Sequence, residues 1–331
     1  MNVLVTYRNI PGQGLIEGLQ QKYDVIVNEE EGYMSRSALL DAVCNVDGMV
    51  SLLNERIDAD LMDAAPRLKI VANYAVGYNN IDVSAATERG IMVTNTPGVV
   101  TDATADLTWS LLMAIARELV VVDRFTRSGR WTEWHPEDFI AADITGTTLG
   151  IVGLGRIGRA VARRASGFDM RILYTDALRA DSDVEEACGA LFVDLNELLR
   201  ESDFVTLHVP LDETTFHMIG KEALRRMKST AYLVNVSRGA VVDEAALVEA
   251  LSTGEIAGAA LDVYENEPRL AKGLAELDNA ILIPHLGANS RRTRDRMARM
   301  TVDNVVAALC GEVPPNLVNP EVLFGRRAVQ P

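Results

Sequence analysis

Cysteine is scarce in this 331-residue chain. Cys44, Cys188 and Cys310 are far apart, odd in number and without CxxC spacing or paired histidines. This pattern argues against a disulfide framework and against a zinc site. We therefore expect three buried thiols and no bound metal.

Long apolar runs are also missing. No run approaches the roughly 20 residues that span a bilayer. Met1 leads directly into Val3-Leu4-Val5, without the basic region and apolar core of a signal peptide. We expect a cytoplasmic protein that makes no use of a membrane.

Positive charge is in deficit, with 32 Lys and Arg against 47 Asp and Glu and a net charge of −15. Such a chain repels phosphate backbones, and its one basic cluster, Arg291 to Arg299, is interleaved with Met297 as in an amphipathic helix. We expect no nucleic-acid partner. A dinucleotide is not excluded, because backbone N–H groups and a helix N-terminus bind pyrophosphate.

The length favours two domains, and strand-like runs alternate with helical patterns in two parts of the chain. The runs of the first part are Val3–Thr6, Val25–Val27, Gly48–Leu52, Ile70–Ala72 and Ile91–Thr94. Those of the second part are Thr148–Val152, Arg171–Tyr174, Phe204–His208, Tyr232–Val236, Gly258–Leu261 and Ile281–Pro284. This alternation predicts two α/β domains, each built on a doubly wound parallel sheet.

A connector helix is predicted between the two parts. Thr101 to about Ser128 is one apolar-periodic stretch, with Asp102 as N-cap and Gly129 beyond its end. After a last helix over Arg291–Leu309, prolines prevent its continuation, and we expect the tail to return to the first domain. The predicted domains are 1–99 with 288–331, and an inserted domain over 100–287.

A glycine motif indicates the cofactor. Gly153, Leu154, Gly155, Arg156, Ile157 and Gly158 follow an apolar run and open a helical stretch. The first glycine permits the bend, the second lets backbone approach a pyrophosphate, and the third lets helix and strand pack closely. Asp176, at the end of the next run, can accept hydrogen bonds from ribose hydroxyls and repels a 2′-phosphate. We predict a Rossmann-type domain that prefers NADH to NADPH; a glycine turn without ligand is the alternative.

Three chemically suitable side chains each follow a strand-like run of the inserted domain. Hydride transfer to a carbonyl needs a cation for the substrate, a proton donor, and a group that controls the donor's pKa. Arg238, His285 and Glu267 supply these three. Because ligands of open α/β sheets bind outside the carboxyl ends of the strands, we expect the three to converge on one cleft.

At these residues the chain resembles the D-isomer-specific 2-hydroxyacid dehydrogenase family. The resemblance lies in Asn235–Gly239, Leu261–Pro268 and Pro284–Gly287, and extends in family order to Gly153–Gly158, Asn73–Gly77 with Ile81-Asp82, and Pro97-Gly98. It implies that the smaller domain is a flavodoxin-like substrate domain. It also implies that Arg238 binds the substrate carboxylate and carbonyl, that His285 is the acid/base, and that Glu267 keeps His285 protonated. The N–H groups of Ala75, Val76 and Gly77 would bind the carboxylate from the other domain.

The resemblance also implies cofactor contacts. Asp262 would face the nicotinamide carboxamide, and Val236 and Ser237 the nicotinamide ribose. The remaining cofactor-binding residues are His208, Val209 and Pro210 on the adenosine side, with Arg238, His285 and Gly287. His135, His208 and His217 are placed outside catalysis.

Within the family, Trp131, Trp134, Gly146 and Leu149–Gly153 are most similar to the glyoxylate and hydroxypyruvate reductase branch. By this resemblance the protein is a homodimer through the connector-helix region, and Trp134 reaches the partner subunit's substrate. A tryptophan buried in an interface without a substrate role is the alternative. The chain departs from the family pattern at Asn79, where Asp is usual, and at Thr147, where Lys is usual.

Two other functions stay open on the same fold. A D-3-phosphoglycerate dehydrogenase would share Arg238, Glu267 and His285, but needs a cationic pocket on the first domain, for which Arg8 and Arg56 are the candidates. A transcriptional corepressor would bind NAD(H) as a ligand and needs a peptide groove. The prediction is NADH-dependent reduction of a small 2-oxo acid to a 2-hydroxy acid.

Overall fold

The computed structural model describes residues 1–325, and its strands form two wholly parallel sheets. The chain divides into a first unit, Met1–Val100 with Ala288 onward, and a second unit, Thr101–Gly287. The strands are β1 Asn2–Val5, β2 Asp24–Val27, β3 Gly48–Ser51, β4 Ile70–Asn73, β5 Met92–Thr94, β6 Thr148–Val152, β7 Arg171–Thr175, β8 Ala190–Phe192, β9 Phe204–Leu207, β10 Tyr232–Asn235, β11 Gly258–Leu261 and β12 Ala280–Leu282.

The strand orders confirm the predicted fold class. The first sheet runs β2-β1-β3-β4-β5, the flavodoxin-like order, and the second runs β12-β11-β10-β9-β6-β7-β8, the Rossmann order with one added strand. In the first sheet Val3 is paired with Val25 on one side and Gly48 on the other. The sequence prediction lacks the edge strand β8, Ala190–Phe192.

Helices connect the strands of both sheets. They are α1 Leu15–Gln20, α2 Arg36–Val43, α3 Ala59–Asp63, α4 Val83–Glu88, α5 Thr101–Ala116, α6 Leu119–Arg127, α7 Arg156–Ala165, α8 Ser182–Cys188, α9 Leu195–Glu201, α10 Lys221–Leu224, α11 Glu244–Thr253, α12 Arg291–Leu309 and α13 Val322–Gly325. Central strands such as β3, β4 and β9 are buried along their whole length, as expected for parallel strands covered on both faces. None of the helices within residues 1–325 has the length and apolar character to cross a membrane.

The stretch predicted as one connector helix is two helices. α5 ends at Ala116 and α6 begins at Leu119, with Glu118 in the left-handed region at φ 51°. Because α5 already begins at Thr101, Asp102 lies in its first turn instead of capping it, and its carboxylate pairs with Arg164 at 3.4 Å. The sequence carries no stop signal here, since neither glycine nor proline interrupts the apolar period.

α5 belongs to the core of the second unit. Leu112 is fully buried, and the Trp109 ring stacks on Phe168 with centroids 4.8 Å apart. The Trp109 indole N–H also donates to the carbonyl of Val161 on α7 at 3.1 Å. These contacts fix α5 against α7, the helix that follows the glycine motif.

α12 and the tail complete the first unit. Met297 and Val305 of α12 are buried, whereas the arginines of the basic cluster face solvent to a greater extent, as predicted for an amphipathic helix. After the prolines, the Val318 N–H donates to the carbonyl of Val93 on β5 at 2.8 Å. This bond joins the tail to the first sheet, and residues 326–331 of the predicted domain lie outside the described residues.

The expectation of three buried thiols is wrong for two of them. Cys188 is buried, but Cys44 and Cys310 are exposed, and all three are free. Both exposed cysteines are the C-cap residues of helices, Cys44 of α2 and Cys310 of α12.

Candidate active site

The glycine motif forms a tight turn between β6 and α7. Gly153 has φ 95°, and a Cβ added to it would lie 2.9 Å from the carbonyl carbon of His208. Gly155 caps α7 and has open space where a side chain would stand. A Cβ on Gly158 would lie 2.1 Å from the Gly153 carbonyl oxygen. The turn therefore combines a bend, an open approach to a helix N-terminus and close helix packing, which together fit a pyrophosphate.

The other members of the motif have different surroundings. Leu154 is buried, Arg156 is exposed, and Ile157 packs against the core of the second unit.

Asp176 directly follows β7 and is tied to the glycine turn. Its Oδ2 accepts the Leu154 N–H at 2.8 Å, and its Oδ1 accepts the Ala177 N–H at 2.8 Å. Each carboxylate oxygen has more than one acceptor site, so both can still accept from a ribose hydroxyl. The carboxylate is thus held rigidly at the strand end beside the turn.

His208, Val209 and Pro210 follow β9, the neighbour of β6. The His208 backbone N–H donates to the Val152 carbonyl at 2.8 Å. Both ring nitrogens are buried without a hydrogen-bond partner among residues 1–325, and burial lowers the pKa of His208 to about 3. The ring is therefore neutral, and its two unpartnered nitrogens fit a polar ligand group beside the glycine turn.

Arg238 is held by the turn that follows β10. Asn235 accepts the Ser237 N–H at 3.0 Å and donates its amide to the Arg238 carbonyl at 2.9 Å. The guanidinium donates to the Ser237 carbonyl at 2.7 Å. Burial lowers the pKa of Arg238, and the charge of Glu267 raises it. Val236 and Ser237 are buried in the same turn.

Glu267 and His285 form a direct pair. His285 Nδ1 lies 2.9 Å from Glu267 Oε2, and Glu267 Oε1 accepts the Tyr264 N–H at 3.1 Å. Burial raises the pKa of Glu267, but the hydrogen bond and charge of His285 and the charge of Arg238 outweigh it and lower the pKa overall. The second unit therefore brings together Arg238, Glu267 and His285.

Asp262 fixes the loop that carries His285. Its carboxylate accepts the N–H groups of Leu286 and Gly287, the latter at 2.8 Å, and its carbonyl accepts the His285 N–H at 2.8 Å. Burial raises the pKa of Asp262, and the two N–H groups and the charge of His285 lower it. His285 itself lies in the left-handed region at φ 55°, a conformation uncommon outside glycine.

Ala75, Val76 and Gly77 lie in the first unit, just after β4. Their carbonyl oxygens accept bonds from the Thr96 N–H at 2.9 Å, from the Asn95 amide at 2.7 Å and from the Asn73 amide at 2.7 Å respectively. Their own N–H groups have no protein acceptor among residues 1–325. Three consecutive free N–H groups on a fixed loop suit an anion such as a carboxylate.

Glu244, Glu265 and His217, which the sequence analysis did not identify in this role, support the loop that carries Glu267. Glu244 is buried at the start of α11 and accepts the Glu265 N–H at 2.9 Å, while the Glu265 carboxylate pairs with His217. No sequence signal marks this role, because an acid after Asp243 is ordinary for the first turn of a helix. Within residues 1–325 no group of three His, Cys, Asp or Glu side chains is placed to hold a metal.

The chain is similar to known 2-hydroxyacid dehydrogenases and glyoxylate reductases. Residues 109–287 match the family model of the D-isomer specific 2-hydroxyacid dehydrogenase, NAD binding domain. The chain is 54% identical to a glyoxylate reductase of Thermococcus onnurineus over 98% of both chains. A Thermus thermophilus protein of known crystal structure has a TM-score of 0.90 at 45% identity, covering 96% of this chain and 100% of its own. An NADPH-dependent glyoxylate/hydroxypyruvate reductase of Sinorhizobium meliloti, solved with NADP and malonate, has a TM-score of 0.84 at 33% identity over 97% of each chain.

Proposed function

Because the chain belongs to the D-isomer-specific 2-hydroxyacid dehydrogenase family, we propose that it reduces glyoxylate and hydroxypyruvate to their 2-hydroxy acids with NADH. Family membership makes it an NAD(P)-dependent oxidoreductase of small 2-oxo and 2-hydroxy acids. The observation that carries the proposal is the His285–Glu267 pair at 2.9 Å beside the Arg238 guanidinium. A proton donor, its anionic partner and a cation are what carbonyl reduction requires of the protein.

Arg238, His285 and Glu267 each have a separate role in the proposed reaction. The bound dinucleotide supplies the hydride. Arg238 binds the substrate carboxylate and carbonyl, so the developing negative charge on the carbonyl oxygen is stabilised. His285 gives its proton to that oxygen through Nε2, since Nδ1 is engaged by Glu267. Glu267 faces Nδ1 with its carboxylate and holds the orientation of the ring.

Cofactor binding is assigned to residues 100–287. The glycine turn Gly153–Gly158 holds the pyrophosphate, Asp176 the adenosine ribose, and His208–Pro210 line the adenosine side. Asp262, Val236 and Ser237 serve the nicotinamide end, with Gly287 beside them. We assign NADH as the preferred cofactor because the Asp176 carboxylate is fixed by two N–H groups where a 2′-phosphate would have to stand.

Substrate binding by the proposed substrate domain, residues 1–99 with 288–331, is assigned to the free N–H groups of Ala75, Val76 and Gly77. Trp134 has 76% of its surface exposed, and Trp131 60%, on the segment after α6. We assign this segment and α6 to a homodimer interface, in which Trp134 reaches the partner subunit's substrate. The proposed location is the cytoplasm.

The phosphoglycerate dehydrogenase alternative finds less support. Of its two candidate cations, Arg56 pairs with Asp58 at 3.0 Å and Arg8 donates to the Glu29 carbonyl at 3.3 Å. A doubly charged phosphate binds best to a cluster of cations, and Asp58 neutralises Arg56, so of the two candidates Arg8 alone lacks a carboxylate partner among residues 1–325.

A substrate panel tests the proposal. The purified chain is assayed by NADH absorbance with glyoxylate, hydroxypyruvate and phosphohydroxypyruvate at equal concentrations. Turnover of the first two is expected, with the phosphorylated acid the poorest. Preference for phosphohydroxypyruvate would indicate the alternative dehydrogenase, and NADH binding without turnover of any acid would indicate a corepressor-like sensor.

A further inference from the structure

Arg179, the arginine closest in sequence to Asp176, forms an ion pair with Glu185. Arg179 lies three residues after Asp176, on the loop between β7 and α8. Its Nε and Nη2 donate to Glu185 Oε1 and Oε2, each at 2.9 Å, so the two planar groups form a bidentate pair. The guanidinium also lies 5.8 Å from the centroid of the Phe192 ring.

Glu185 is also held in place by Tyr174. The hydroxyl of Tyr174, a fully buried residue of β7, donates to Glu185 Oε1 at 2.5 Å and accepts the Ala180 N–H at 3.0 Å. Only 15% of the Glu185 side chain is exposed, against 62% for Arg179. Hydrogen bonds from Arg179 and then Tyr174 lower the pKa of Glu185 to about 2, so its carboxylate is charged at neutral pH. The carboxylate is the fixed partner and the arginine the movable one.

We propose that Tyr174 and Glu185 are specificity-determining residues that withhold Arg179 from the cofactor. This inference rests on the proposed function and adds to it a second source of NADH preference besides Asp176. An arginine near the end of this strand is the group that accommodates a 2′-phosphate in NADP-binding proteins of this fold. Here the same cation is neutralised by Glu185 and directed toward α8. A 2′-phosphate therefore meets the Asp176 carboxylate without a compensating charge.

The test measures the ratio of NADPH to NADH affinity by titration of the protein alone. Glu185→Gln keeps the volume but removes the charge that holds Arg179, and we expect the ratio to shift toward NADPH by about ten-fold, or about 1.4 kcal/mol. Tyr174→Phe, which removes only the hydroxyl beneath Glu185, should shift it in the same direction by less. The gain should shrink as salt is added, because it arises from a charge pair at the surface.

Arg179→Ala decides whether the arginine carries the effect. In the wild-type background it should leave the ratio unchanged, because Arg179 is withheld there, and combined with Glu185→Gln it should abolish the gain. Glu249→Gln, which breaks the surface pair of Glu249 with Lys221 at 2.7 Å, is the matched control and should change nothing. Adding Asp176→Asn to Glu185→Gln should increase the gain further.

An unchanged ratio in Glu185→Gln, or a gain that persists without Arg179, overturns the inference. So does a loss of NADPH affinity on Arg179→Ala alone, since it would place the arginine in the ribose pocket already. Because the readout is binding, it is independent of which acid is reduced. Failure of the substrate panel and failure of this inference are therefore separate results.

Discussion

At the scale of single residues, His285 and its loop are fixed by hydrogen bonds within the second unit, most of which the sequence did not predict. Its backbone N–H is bonded to the Asp262 carbonyl, the next two N–H groups are bonded to the Asp262 carboxylate, and Nδ1 faces Glu267. These contacts leave Nε2 as the ring atom available for chemistry. The proposed proton donor is therefore ordered before any substrate binds.

The first prediction concerns His285, the proposed proton donor. His285→Ala should lower kcat for glyoxylate reduction by about 10²–10⁴-fold, the usual contribution of general acid catalysis. NADH should still bind to the variant, as measured by fluorescence titration. A variant with undiminished kcat would remove His285 from the mechanism.

The second prediction concerns pH. In the proposed mechanism His285 gives a proton to the substrate, and the hydrogen bond and charge of His285 lower the pKa of Glu267, so a charged carboxylate faces Nδ1. Glu267→Gln removes that charge while keeping the size, and the alkaline limb of the kcat/KM profile should move to lower pH. The double variant Glu267→Gln with His285→Ala should show no such limb. A limb at the wild-type position in the single variant would mean that the pair has no influence on the protonation of the donor.

The third prediction concerns Arg238. Lysine offers a point charge on a flexible stem in place of a planar fork, so Arg238→Lys should raise KM for glyoxylate and lower kcat together. Arg225→Lys is the matched control, because that arginine lies on the surface near Glu222 and Glu255 and takes no part in the site. Near-wild-type kcat/KM in Arg238→Lys would make its role structural.

At the scale of elements, the loops after β10 and β11 touch where no side chain fits. A Cβ on Gly239 would lie 1.8 Å from the carbonyl carbon of Tyr264 and 2.3 Å from the nitrogen of Glu265. Gly239 follows Arg238, and Tyr264 precedes Glu267 by three residues. The missing side chain therefore sets the spacing between the cation and the anion of the site.

The fourth prediction follows from this contact. Gly239→Ala should force the two loops apart, lower the free energy of unfolding by about 1–3 kcal/mol, and reduce kcat/KM by up to about 10²-fold, because small displacements at a site are costly. Gly167→Ala is the control, since a Cβ there meets nothing within 4 Å, and its stability should change by less than about 1 kcal/mol. Wild-type activity in Gly239→Ala would show that the spacing is tolerant.

The elements also show what a sequence can predict. Buried parallel strands and the glycine turn follow local rules of period and backbone freedom, so β6, α7 and the sheet class were predictable. The break at Glu118 and the burial of Glu244 depend on contacts with distant segments, and no local pattern encodes them. Arg179 illustrates the same limit: its place three residues after Asp176 was visible, but its partner Glu185 was not.

At the scale of the whole molecule, one surface segment of the second unit is unusually apolar. No residue of α6 is buried, and Leu119 at its start is 51% exposed. Ile140, beyond Trp131 and Trp134, is 82% exposed. Large exposed apolar patches mark interaction sites, and closed two-fold dimers are the commonest assemblies, so a second copy of this chain is the expected cover.

The last prediction joins that interface to activity. The wild-type chain should sediment as a dimer of about twice 36.1 kDa, and Leu119→Glu combined with Ile140→Glu should convert it to a monomer, because like charges would face each other across the two-fold axis. Leu191→Glu, on the exposed edge strand β8, should remain dimeric.

The same variants test whether Trp134 completes the partner's site. In that case the monomer should show a raised KM for glyoxylate with NADH affinity unchanged. Trp134→Ala should then raise KM in the dimer but not in the monomer. A monomer with wild-type KM would restrict Trp134 to the interface and leave each subunit with a complete site of its own.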